Sequence, residues 1–126
     1  MYFSKEYVLS RQISDYLIYQ YHKILFHFDI TGVGLSKAQA GMMKYIQKRK
    51  GWPDLFIAEP RKGYLGLFIE LKVEGTKLFK KDGQPVNDHI TEQKEMLFAL
   101  IGKGYMAEFG IGFDETKKII DNYLKD

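Results

Sequence analysis

Residues 51–72, Gly51-Trp52-Pro53-Asp54-Leu55-Phe56-Ile57-Ala58-Glu59-Pro60-Arg61-Lys62-Gly63-Tyr64-Leu65-Gly66-Leu67-Phe68-Ile69-Glu70-Leu71-Lys72, decide the fold. Two apolar runs flank a compact turn at Pro60–Gly63, which is the pattern of a β-hairpin. Folding the chain back about Lys62 places Asp54 opposite Glu70. Side chains alternate along a strand, so Lys72 shares the face of Glu70. Directly opposed residues have Cβ atoms about 5 Å apart. Two carboxylates and an ammonium therefore converge at the open end of the hairpin. Carboxylates that close repel unless a cation lies between them, and a hard divalent ion such as Mg²⁺ favours such oxygen ligands.

Working outward from the hairpin, Ser4 reads as the N-cap of a helix over residues 4–21, with a stripe of Leu9, Ile13, Tyr16, Leu17 and Gln20. Residues 23–30 alternate, with Ile24, Phe26, Phe28 and Ile30 on one face and Leu25, His27 and Asp29 on the other, which predicts a strand. Residues 31–34 form a loop, and its Gly32-Val33-Gly34 is too short for a nucleotide-binding fingerprint. Ser36 and Gln39 have capping-box spacing and open a short helix to about Gln47. The hairpin strands fall near 54–58 and 65–73. Their runs are mostly apolar, as in strands covered on both faces. Residues 74–88 are polar and read as a long exposed loop. A helix follows over 90–102, then a strand over 105–111. That strand is expected parallel to the hairpin through a right-handed crossover. Asp114 is the expected cap of a last helix. The predicted class is α/β, with helices flanking a mixed sheet, and residues 1–126 are expected to form one domain.

The 126 residues are 45% hydrophobic and 15% aromatic, which excludes a disordered chain. The formal net charge is only +3, but it is segregated. Residues 37–62 carry +5, through Lys37, Lys44, Lys48, Arg49, Lys50, Arg61 and Lys62 against Asp54 and Glu59. From Tyr105 onward the balance is −2. Basic charge thus surrounds the first candidate ligand, as a polyanion-binding surface requires. With no cysteine, disulfides, thiolate-bound zinc and thiol nucleophiles are excluded. No apolar run is long enough to span a membrane. The start Met1-Tyr2-Phe3-Ser4-Lys5-Glu6 lacks a basic-then-apolar signal pattern, so a cytoplasmic location is expected.

Phosphodiester hydrolysis needs an activated water, neutralisation of developing charge and a stabilised leaving oxygen. A carboxylate-bound Mg²⁺ or Mn²⁺ serves all three. Asp54 and Glu70 are the candidate ligands, with the Leu71 carbonyl as a third oxygen. Lys72 is the candidate beside the scissile phosphate, where it adds positive charge and orients water.

These residues resemble the PD-(D/E)XK nuclease superfamily, through Pro53-Asp54 and Glu70-Leu71-Lys72. They look most like its virus-type replication-repair nuclease (VRR-NUC) branch. The features carrying that likeness are Gly51-x-Pro53-Asp54, Phe68-Ile69-Glu70-Leu71-Lys72, Gln93 early in the following helix and Gly104-Tyr105 opening the next strand. Glu6 matches the family's first-helix glutamate. Two departures are Ser10, where relatives often have glutamine, and the longer 74–88 connection. The resemblance implies a restriction-endonuclease-like αβββαβ core. It implies a Mg²⁺- or Mn²⁺-dependent deoxyribonuclease with no small-molecule cofactor. Asp54, Glu70, Lys72, Gln93 and Glu6 would be catalytic, and Asp54, Glu70, Leu71 and Glu6 would hold metal. Stand-alone members of this size are associated with phages, which puts the protein in the host cytoplasm, and with homodimers that cut branched DNA such as Holliday junctions.

Blander readings stand beside these. Glu6 is also a first-turn acid favoured by the helix dipole. Trp52 reads first as packing at the start of a strand. Lys48, Arg49 and Lys50 also fit a solvated helix end, but beside a metal site they and Lys44 are candidates for DNA contact. Lys77, Lys80 and Lys81 form a solvated loop run that is also a DNA-contact candidate. His22, His27 and His89 lack mutual metal-ligand spacing and default to surface histidines, with DNA contact as the second reading for His89. Other functions on the same core are a restriction-like or exonucleolytic nuclease and a non-catalytic nucleic-acid-binding module.

Overall fold

The computed structural model describes residues 4–29 and 34–126. Ile30, expected to close the first strand, and Thr31, Gly32 and Val33 of the expected loop lie outside the described residues. The elements run α1 (Lys5–Gln20), β1 (Phe26–Phe28), α2 (Lys37–Ile46), β2 (Leu55–Ile57), β3 (Leu67–Lys72), α3 (Asp88–Gly102), β4 (Met106–Ile111) and α4 (Gly112–Leu124). They form the expected αβββαβ arrangement with α2 and α4 added. The sheet order is β1-β2-β3-β4. The first three strands pair antiparallel, and β4 lies parallel to β3, as the intervening helix predicts.

Leu55 pairs with Ile69, Phe56 with Phe68 and Ile57 with Leu67. This register continues to Asp54 opposite Glu70, as the sequence implies. The tip differs in detail. Arg61 and Tyr64 pair with each other around Lys62 (φ 54°) and Gly63 (φ 87°), a type I′ turn. Between the Ile57–Leu67 pair and this tip, one arm holds Ala58, Glu59 and Pro60 while the other holds only Leu65 and Gly66. The extra residue shifts the strand register by one relative to the turn. Pro60 has no N–H, so this arm loses no donor there.

Alternation along β3 divides the core. Ile69 and Leu71 join Leu55, Ile57 and Leu67 in a cluster with Leu9, Ile13 and Leu17 of α1 and Ile120, Tyr123 and Leu124 of α4. Phe68 faces the other way and packs with Ala107 of β4 and Leu97 and Leu100 of α3. The sheet is thus buried on both sides. Burial of each such large apolar side chain contributes roughly 1.5–3 kcal/mol. The hydroxyls of Tyr16 and Tyr21 both donate to Asp121 Oδ1 at 2.6 Å, tying the end of α1 to α4. Among the described residues no helix is long and apolar enough to cross a membrane.

Three local expectations are corrected. The first strand spans only Phe26–Phe28 rather than 23–30; Ile24 still packs against the core without being in the ladder. Asp114 does not cap α4, which begins two residues earlier at Gly112 without a side-chain cap. Instead the Glu115 carboxylate accepts the Ile111 N–H. The 74–88 segment is not simply an exposed loop. It doubles back with Phe79 bridged to Pro85, Val86 N–H bonded to the Leu78 carbonyl at 2.9 Å, and Leu78 buried. The apolar pair Leu78-Phe79 inside a polar stretch is the signal for that anchor.

Candidate active site

Glu70 and Lys72 project from β3 on the side of Phe68, the face that α3 covers. Glu70 is only 4% exposed, and Gln93 of α3, at 5%, donates from Nε2 to Glu70 Oε2 at 2.9 Å. Lys72 Nζ lies 3.6 Å from the same oxygen. Asp54, just before β2, accepts the Leu71 N–H on Oδ2 at 2.9 Å. Its own carbonyl accepts from Asp29 N–H at 2.7 Å, which locks the end of β1 to it. These two hydrogen bonds fix Asp54 against the Glu70–Lys72 strand.

The electrostatics follow from burial. Desolvation raises the Asp54 carboxyl above its ordinary value, partly offset by hydrogen bonds with Glu70 and the Leu71 N–H. Desolvation, then the charge of Asp54 and the hydrogen bond to it, raises Glu70, with Lys72 pulling the other way. The two carboxyls titrate as a pair, and each is raised by burial. Glu70 Oε1 and Gln93 Oε1 are buried and, among the described residues, have no hydrogen-bond partner. Unpaired buried oxygens beside a second carboxylate are the donor set a hard cation takes.

These groups line a cleft of about 1160 Å³. The lining includes His27, Phe56, Phe68 and Glu70, and one wall is made by residues 46–49 with Gly51 and Trp52. Gly51 lets that wall close on α3. Its φ is +82°, and a Cβ there would lie 2.6 Å from the Glu92 carbonyl oxygen. Only glycine meets both conditions cheaply.

A solved structure described as a VRR_NUC domain protein is similar to this chain, with a TM-score of 0.73 and 25% identity, over 99% of this chain and 92% of that one. The chain is VRR-NUC-like. That likeness supports a nuclease of the PD-(D/E)XK type. No family model and no curated protein matches the chain.

The VRR-NUC-like chain brings together Asp54, Glu70, Leu71, Lys72 and Gln93. Glu6 lines the same cleft but from its rim. It stands on α1, which packs against the opposite face of the sheet from Glu70. Among the described residues no group of three or more acidic or histidine side chains is close enough to hold a metal, so Glu6 does not complete such a set with Asp54 and Glu70. Lys48 and Arg49 line the cleft. Lys48 Nζ also sits 4.2 Å from the Tyr45 ring centroid. Lys44 and Lys50 are exposed nearby in sequence but are not in the lining, and Lys77, Lys80 and Lys81 are exposed outside it. His27, His89 and Trp52, read first as surface or packing residues, all line the cleft, with His89 Nε2 3.2 Å from Gln93 Nε2. His89 was findable, because it precedes Gln93 by four residues and so shares its helical face.

Proposed function

We propose that the chain, acting as one domain over residues 1–126, is a Mg²⁺- or Mn²⁺-dependent DNA nuclease that prefers branched substrates such as four-way junctions and works as a homodimer in the cytoplasm of its host. The observation that carries the hydrolytic reading is the pairing of half-buried Asp54 with buried Glu70, with Lys72 and Gln93 on one oxygen of Glu70. Asp54 and Glu70 would hold the ion, with the Leu71 carbonyl and water completing its shell, since Mg²⁺ keeps several waters. When bound, the metal supplies Lewis-acid stabilisation of charge on phosphoryl oxygens and a water of lowered pKa.

The chain's own residues do the rest. The Lys72 ammonium places positive charge beside the phosphate, where negative charge develops. Gln93 holds the Glu70 carboxylate in one orientation and leaves its own carbonyl free to accept from a water. Lys48 and Arg49 line the approach and neutralise neighbouring phosphates. Glu6, at the rim, is suited to a water-mediated contact with the ion rather than direct ligation.

Homodimerisation is supported by α2, which buries none of its residues. Met42, Tyr45 and Ile46, three and four residues apart, form one exposed apolar face. A two-fold dimer would present two sites to the two strands of a junction.

The test is cleavage of four-way junction, flap, duplex and single-stranded DNA with Mn²⁺, and with EDTA as control. Asp54→Ala and Glu70→Ala are expected to abolish cutting while remaining folded. Lys72→Ala is expected to lose cutting yet retain Mn²⁺ binding in calorimetry. Wild-type rates in either carboxylate variant would remove these residues from the chemistry.

A further inference from the structure

We propose that Trp52 is a base-stacking platform, so that the enzyme engages DNA with an unpaired nucleotide next to the bond it cuts. The inference rests on the nuclease reading and specifies its substrate.

Trp52 is 47% exposed, although it is the largest apolar side chain in the protein, and it lines the cleft. It stands outside the cluster that packs α3 onto the sheet, which is built from Phe68, Leu97, Leu100 and Ala107. Its ring centroid lies 6.0 Å from that of Phe68 at a 58° tilt. Phe68 in turn stacks on Phe56 at 4.4 Å. The neighbouring ring supports the indole from one side without burying it.

Position decides what the exposed surface can receive. Trp52 is two residues from Asp54, and Pro53 between them is buried, which fixes the spacing. Gly51 pins the other side against Glu92. Lys48 and Arg49 line the same wall. Cations for phosphates beside a supported aromatic surface are the two elements of a single-strand site. A base inside a duplex already has both faces stacked on neighbours. Only an unpaired base, at a flap, a gap or a branch point, can offer its face to the indole.

Trp52 is the only tryptophan, so intrinsic tryptophan fluorescence reports on it alone. Glu70→Gln protein, chosen to prevent cutting, is titrated with oligo(dT) and with blunt hairpin duplex, while anisotropy of a dye on the DNA follows binding separately. The expected result is strong quenching by oligo(dT) and little by duplex at equal occupancy. Trp52→Ala should weaken oligo(dT) binding about 5- to 150-fold, and Trp52→Phe should retain most of it. Binding seen by anisotropy with no quenching overturns the platform and leaves the nuclease reading standing. Equal quenching by duplex overturns it too. No binding of either DNA overturns both readings. The quenching arm uses the native tryptophan, so it decides the matter even if Trp52→Ala fails to fold.

Discussion

Glu70 is held where its charge is least welcome, and that has a measurable consequence in the metal-free protein. Its carboxyl is raised, to about 8, by burial and by Asp54. The folded state therefore binds this proton more tightly than the unfolded chain. The linked stabilisation is complete below the ordinary glutamate value near 4.3 and is lost as pH rises through the folded value. Urea denaturation in EDTA should show wild-type stability falling between about pH 5 and about pH 9 more steeply than that of Glu70→Gln, which copies the protonated shape. Identical slopes would mean that the two carboxyls do not burden each other. Glu70 and Lys72 were legible in the sequence because a period of two puts them on one face, and Asp54 because folding about Lys62 gives the register that the extra residue in the Ala58–Pro60 arm produces. Trp52 was not, since nothing in a local sequence tells whether an aromatic residue at a strand start is covered. The position of Glu6 at the rim depends on which face of the sheet α1 packs against, a fact of tertiary structure.

Among the elements, the wall from Ile46 to Trp52 has no regular structure past α2, yet it closes the cleft. Its attachment is the approach of Gly51 to α3. Gly51→Ala should push the wall outward, since the added carbon meets backbone rather than a movable side chain. The expected cost exceeds about 1 kcal/mol, read as a lowered Tm, and DNA cleavage should fall further than stability does. Unchanged Tm and activity would show that the wall is free of α3. The basic residues on this wall have a separate signature. Neutralising Lys48, Arg49 and Lys50 together should make the slope of log affinity against log salt shallower, by about 0.9 for each duplex phosphate that the protein ceases to neutralise. An unchanged slope would assign them to solvent. Helix starts at Ser4 and Ser36 were legible because side-chain caps announce themselves: Ser4 Oγ accepts from Tyr7 N–H, and Ser36 and Gln39 complete a capping box. The start of α4 was not, because a strand runs straight into it through Gly112 at φ +80° and leaves no polar cap to find.

For the molecule as a whole, the double-sided sheet followed from the apolar runs at 55–57 and 67–71, and the parallel β4 from the helix between. The association state is less visible in sequence, since an exposed apolar helix face and a buried one have the same periodicity. The structure leaves the α2 face uncovered, so Met42→Lys, on that face but outside the cleft lining, should shift a dimer to monomer in light scattering. Junction cleavage should then fall to single nicks, while cutting of linear single strands is preserved. A wild-type monomer that cuts linear and branched DNA equally would leave a nuclease without the paired sites.

The unequal arms at the hairpin tip carry a consequence for how this chain can change in length. Asp54 meets Glu70 only because Ala58–Pro60 has one residue more than Leu65–Gly66. With equal arms the same type I′ turn would set Asp54 against Leu71, whose side chain points to the other side of the sheet. The parity of a tip some eight residues away, roughly 25 Å along an extended strand, therefore decides whether the two acids meet at all. Removing one residue from the longer arm forces a choice between the turn and the acid pair, whereas adding one residue to each arm costs neither. Lineages of this hairpin should grow or shrink in matched steps, and an unmatched step should silence the site without touching a residue that lines it.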